Sequence, residues 1–151
     1  MKRHLLALFA LLLAVAALLP SCSFSMLNPK EINTHMDEIL NALARDDGDA
    51  FYAMLYKPSA SEEEIRETFR SMREYFPVTA DYHKVRTSLQ SHQSVGTNSG
   101  TTWAANYTVT FSERTFYLYV VYFKGTSGSG FQTFNVVSQE DYDQYHGKEV
   151  G

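Results

Sequence analysis

The chain has 151 residues, with 17 acidic side chains against 13 basic ones and a single cysteine, Cys22. Without a basic block, this balance argues against nucleic acid and against a polybasic membrane-surface site, since both need clustered positive charge. One cysteine excludes an internal disulfide framework and a thiolate metal site.

Met1-Lys2-Arg3-His4 makes a short basic start, and Leu5 to Leu19 is an unbroken apolar run. A membrane-spanning helix needs about 20 such residues, so the run fits the shorter apolar segment of a secretory signal. Leu19-Pro20-Ser21-Cys22 then resembles the lipobox of bacterial lipoproteins: an aliphatic residue, two small ones and a cysteine, with Pro20 departing from the commonest pattern. The resemblance implies that the Cys22 thiol receives a diacylglyceryl group, that signal peptidase II cuts before it, and that the new amino terminus is acylated. Residues 1–21 are then a signal peptide and 22–27 a lipidated tether. The other readings of Cys22 are an intermolecular bridge, a buried structural thiol, and a free thiol left by an ordinary signal-peptide cut. Each buried methylene adds about 0.8 kcal/mol, so two or three acyl chains on one residue anchor durably. Ser23 rather than an aspartate follows Cys22. In an organism with two membranes the family's sorting rule then implies the outer one, facing the periplasm. The leader holds two of the 13 basic residues and none of the acidic ones, so the mature chain is more acidic than the formal −4 of the whole.

A domain is predicted over 28–138. Asn28 can cap a helix with Pro29 in its first turn, and Ile32, Met36, Ile39 and Leu43 form its apolar stripe. Gly48 is expected to stop this helix and Asp49 to cap a short second one carrying Phe51, Met54 and Leu55. Ser61 and Glu64 make a capping box for a third, with Ile65, Phe69, Met72 and Phe76 on one side and Pro77 ending it. The period then changes to two. Val85, Thr87 and Leu89 alternate with Lys84, Arg86 and Ser88, and Trp103, Ala105, Tyr107, Val109 and Phe111 alternate with smaller polar residues. FYLYVVYF at 116–123 reads as an inner strand, with Phe116, Leu118, Val120 and Tyr122 on one parity. That strand is expected to pair with 102–111 through the tight turn SERT, 112–115, and with 131–138 through a glycine loop. Residues 139–151 read as a polar, loosely held tail.

Helices first and an antiparallel meander afterwards make an α+β arrangement, with helices on one face of a curved sheet of about four strands. This order, with ILNALARDDGDAFYAML and the long aromatic strands, resembles the NTF2-like (cystatin-like) superfamily over residues 29–138. Many members also place a strand or hairpin between their helices, and no such strand is evident here. The resemblance implies a cone-shaped cavity between sheet and long helix but no single activity, because members range from isomerases and dehydratases to subunits without chemistry.

Asp81 and His83 lie two apart at the start of the first strand and share a face with Val85 and Leu89, expected inward. In the enzymes of that superfamily a carboxylate or histidine in the cavity does acid-base work, which requires burial and reach to substrate. The bland reading places both in water at a strand end. Trp103, Tyr107, Tyr117, Tyr119 and Phe123 are the pocket or interface candidates, with ordinary sheet core as their alternative. DDGD at 46–49 lacks the alternation of a calcium loop. Asn106-Tyr107-Thr108 fits a glycosylation sequon by coincidence. His35, His92 and His146 have no ligand-spaced partners, so no metal or other cofactor is expected.

A non-catalytic ligand- or protein-binding module is therefore the expected function, with a small isomerase or dehydratase using Asp81 and His83 as the alternative. Tyr117, Tyr119, Val121 and Phe123 are expected to form a tyrosine-rich patch on the face away from the helices. Its cover would be a homodimer or a protein partner, as NTF2-like sheets often provide, or the tail from Gln139 onward.

Overall fold

A computed structural model describes residues 29–146. The leader, Cys22, the tether, the Asn28 cap and residues 147–151 lie outside the described residues. Three helices come first, α1 (Pro29–Ala44), α2 (Gly48–Ala53) and α3 (Glu62–Tyr75). They are followed by β1 (His83–Ser94), β2 (Gly100–Phe111), β3 (Arg114–Gly125), β4 (Gly128–Ser138) and a last helix, α4 (Gln139–His146). The strands form one antiparallel sheet in the order β1-β2-β3-β4. The fold is α+β, with α1, α2 and α3 packed on one face of the curved sheet.

Ile32, Met36, Ile39, Leu40 and Leu43 recur at helical spacing in α1, and all are buried. The cap of α2 is Asp47, not Asp49: its side chain accepts from the Ala50 amide at 2.9 Å. Asp49 falls inside the first turn and pairs instead with Arg66 of α3. Gly48 accordingly opens α2 rather than stopping α1. At α3 the Ser61–Glu64 capping box forms, and Ile65 and Phe69 are buried.

Between α2 and α3 the backbone pairs with the sheet at one residue. The Phe131 amide donates to the Met54 carbonyl at 2.8 Å and the Tyr56 amide to the Phe131 carbonyl at 2.9 Å, a single parallel bridge at Leu55. Gly130 permits this approach, because a Cβ there would stand 2.7 Å from the Met54 carbonyl oxygen and its φ is 152°. One bridging residue has no period, so the contact leaves no pattern in the sequence.

β2 alternates cleanly, and β3 does so as far as Tyr122. Trp103, Ala105, Tyr107, Val109 and Phe111 are buried on the helix side. Phe116, Leu118, Val120 and Tyr122 of β3 join the same core as Ile32, Ile39, Leu43 and Phe69. The hairpin between them turns on two residues, Ser112 (φ 46°) and Glu113 (φ 61°).

β1 differs from its predicted facing. Val85 is 48% exposed. The register with β2 shifts between Arg86 and Ser88, which leaves Thr87 as the extra residue of a bulge. Arg86 stands opposite Tyr107 and Leu89 opposite Ala105, both on the helix side. Before the bulge, therefore, Lys84 and Arg86 face the helices; after it, Leu89 does. A period-two reading carries parity straight through an inserted residue, and so assigns the first half of β1 to the wrong face.

The predicted loose tail is helical over its first eight residues. Ser138 Oγ accepts from the Asp141 amide at 3.1 Å, capping α4. The Tyr75 hydroxyl donates to the Asp141 carboxylate and accepts from the Ser138 amide at 2.8 Å, tying α4 to α3.

Candidate functional site

Polar groups gather on both faces of the sheet, and they differ in kind. On the helix side, the bulge turns Lys84 and Arg86 toward α1. Lys84 Nζ lies 2.6 Å from the Asp37 carboxylate and donates to the Asn33 carbonyl at 2.8 Å. Arg86 donates to the Pro29 carbonyl at 2.6 Å. The Tyr82 hydroxyl donates to Asp37 at 2.8 Å, and the Tyr107 hydroxyl to Asn33 Oδ1 at 2.8 Å. Burial, then the bond to Asp37, hold the Tyr82 phenol well above its ordinary range. Each charge here is answered by a partner, so the cluster fastens β1 onto α1 rather than presenting a reactive group.

Asp81 and His83 are both exposed. The Asp81 carboxylate accepts from the Thr79 hydroxyl. His83 stands opposite Thr110 and shares the outward parity of Val85, because the bulge reverses the facing on which the inward expectation rested. None of the principal cavities includes either residue. The burial and enclosure that acid-base work requires are missing at this pair. Among the described residues no group of three His, Cys, Asp or Glu side chains could hold a metal ion. His35 instead stacks on Tyr122 with ring centroids 4.4 Å apart, and its Nδ1 lies 2.8 Å from Glu38 Oε2.

The five aromatic candidates separate. Trp103 and Tyr107 are helix-side core, and the Trp103 indole nitrogen is buried without a hydrogen-bond partner among the described residues. Phe123 does not join the outward patch, being only 6% exposed. Its ring lies against the Tyr56 ring, centroids 4.7 Å apart, and over Gly100 and Gly125. A Cβ on Gly125 would fall 2.5 Å from that ring, so the paired glycines make the space it fills. Of the five, Tyr117 and Tyr119 are the two that remain accessible on the face away from the helices.

Around these two lies a groove of about 480 Å³ on the face away from the helices. Its floor is one row across all four strands, since Ser88 pairs with Asn106, Asn106 with Tyr119, and Tyr119 with Asn135. The next row holds Thr108, Tyr117 and Val137. Its wall comes from α4: the Tyr142 ring lies 4.6 Å from that of Tyr117, whose hydroxyl donates to Gln139. The helix thus covers Tyr117 in part and leaves Tyr119 42% exposed. No acidic or basic side chain lines the groove.

The floor amides had one signal in the sequence. Asparagine is depleted from strands, yet Asn106 and Asn135 each stand mid-strand, and the first invites only a sequon reading. Comparison of the chain with models of known protein families and with curated proteins found no match.

Proposed function

We propose that the chain is a lipid-anchored binding module of the bacterial cell envelope, held to its membrane through Cys22 and working without catalysis. The observation that carries the binding reading is the groove itself, where an exposed Tyr119 stands between two mid-strand amides and no charge intrudes. Depletion of charge with enrichment in aromatic residues is the composition of surfaces that become buried on binding. The order of helices and meander suits the NTF2-like resemblance, a scaffold that hosts binding subunits as well as enzymes. A ligand, a protein partner or a second copy of the chain on this face is the expected cover. The isomerase or dehydratase alternative has no support from Asp81 and His83 in their exposed positions.

Two measurements test this reading. Intact mass of the membrane-extracted protein should show a chain starting at Cys22 with added acyl mass. A chain starting at Met1, or at Cys22 without that mass, would remove the anchor. A photo-reactive amino acid in place of Tyr119, activated in intact cells, should give a defined adduct. Absence of any adduct, with a matching probe at exposed Val95 as the background, would remove the face.

A further inference from the structure

We infer that the groove between α4 and the outer sheet face takes a neutral saccharide, a stretch of glycan without carboxylate, sulfate or amine groups. The inference rests on the binding-module reading and gives the ligand its chemistry. Two properties of the lining exclude charged and purely apolar ligands, and a third suits a sugar.

Charge comes first. With no acidic or basic side chain in the lining, a phosphate, carboxylate or ammonium would leave water without meeting an opposite charge. Nucleic acid fails for the same reason. Next come the polar groups of the floor. Asn106 donates from its amide to Ser88 Oγ at 2.7 Å. The Asn135 carboxamide and the Tyr119 hydroxyl make no hydrogen bond within the described residues. A purely apolar ligand would cover these groups and satisfy none of them, a cost of the unmade bonds.

The last property is geometric. Tyr119 is the centre of a direct cross-strand row, with Asn106 on one side and Asn135 on the other. Directly opposed residues stand about 4.5–5.5 Å apart at Cβ. A pyranose ring has an apolar C–H face that suits an aromatic ring and a rim of neutral hydroxyls, each both donor and acceptor. A carboxamide offers two donors and two acceptor lone pairs, which matches neighbouring hydroxyls on either side of a stacked sugar. Tyr117 and Tyr142 supply a second aromatic surface at the wall. The volume lies within the roughly 300–1,000 Å³ of ligand sites, and the groove is half-open to solvent. An internal stretch of a polymer can therefore lie in it without a free chain end.

Affinity electrophoresis of the full chain in detergent decides the matter, using gels that hold glucan, mannan, galactan or xylan, with polygalacturonate and heparin as charged comparators. At least one neutral polymer should retard the protein, and retardation should be unchanged between about 0.05 and 0.5 M salt, since no ion pair is screened. Tyr119→Ala and Asn135→Ala should each weaken it on the order of tenfold, while circular dichroism stays that of the parent. Retardation by the charged polymers alone, by none, or by a neutral polymer with Tyr119→Ala unaffected would each overturn the assignment. If no neutral polymer binds but the probe at position 119 captures a protein or a second copy, the saccharide falls and the binding module stands. If that probe captures nothing either, both fall.

Discussion

Tyr107 of β2 donates its hydroxyl hydrogen to the carboxamide oxygen of Asn33 in α1 at 2.8 Å, across 74 residues of sequence. The phenol is almost wholly buried. That burial pushes its pKa up to about 12 from the ordinary 10, against the opposing pull of Arg86. The fold favours the neutral phenol, so the contribution is fully present below pH 10. Above that the unfolded chain releases its proton first, and stability falls until the folded group titrates near 12. Two units correspond to about 2–3 kcal/mol. Urea unfolding at steps from neutral to strongly alkaline pH should show the fall, and Tyr107→Phe should reduce its slope. At neutral pH the same variant should cost about 0.5–1.5 kcal/mol. A slope unchanged by the substitution would assign the alkaline loss to other tyrosines.

The β2–β3 hairpin turns on Ser112 and Glu113, both with positive φ. A two-residue turn of this hand favours asparagine then glycine, and neither side chain here is buried. Ser112→Asn with Glu113→Gly should therefore raise stability by about 0.5–1 kcal/mol, through relief of left-handed strain. Thermal denaturation checks this, and a lower melting temperature for the pair would contradict it.

Adjacent residues of β3 should respond very differently to truncation. Leu118 is 1% exposed and Tyr119 is 42% exposed. Leu118→Ala should cost about 2–5 kcal/mol, and Tyr119→Ala under about 1 kcal/mol. Equal losses in chemical denaturation would mean that Tyr119 packs on something in the free protein.

Docking of α4 should weaken in acid. The Tyr75 hydroxyl, then Ser138, hold the Asp141 carboxyl below its ordinary 3.8. A depressed value means the contribution is present above 3.8 and is lost as pH falls through the lower folded value. The contact between the Tyr117 and Tyr142 rings should fade over that acidic range in NMR spectra while the β2–β3 contacts persist. Tyr75→Phe should loosen the same contact at neutral pH, and its retention there would show that α4 is held by other bonds.

The core of the sheet was legible because β2 and β3 bury one parity without interruption, Trp103 to Phe111 and Phe116 to Tyr122. The Ser61–Glu64 box was legible because its two bonds join residues three apart. What stayed hidden was set by pairing between distant segments. Thr87 carries no mark of a bulge, which exists only as a mismatch of β1 against β2. Asn106 flanks Tyr119 through the register that the β2–β3 turn imposes, but Asn135 does so only because a second bulge, with Gln132 as its extra residue, offsets β4 by one against β3. α4 did carry a local start signal, Ser138 followed by Asp141, but a polar segment without an apolar stripe resembles a tail. Cys22 lies outside the described residues, and its role rests on sequence resemblance.

The strand order has a kinetic consequence. Each strand pairs only with its neighbour in sequence, so the sheet can assemble as successive hairpins, each closing a short loop at low entropic cost. The helices come first in the chain, yet the core that buries Ile39 and Leu43 is completed only when β2 and β3 are in register. Ties between helices and sheet, the Asn33–Tyr107 bond and the Leu55–Phe131 bridge among them, join segments far apart in sequence and should therefore close late. Interactions absent from the transition state act on unfolding alone. Asn33→Ala should therefore speed unfolding in stopped-flow experiments and leave the folding rate nearly unchanged, so the grip of α1 on the sheet governs how long the native state lasts rather than how fast it forms.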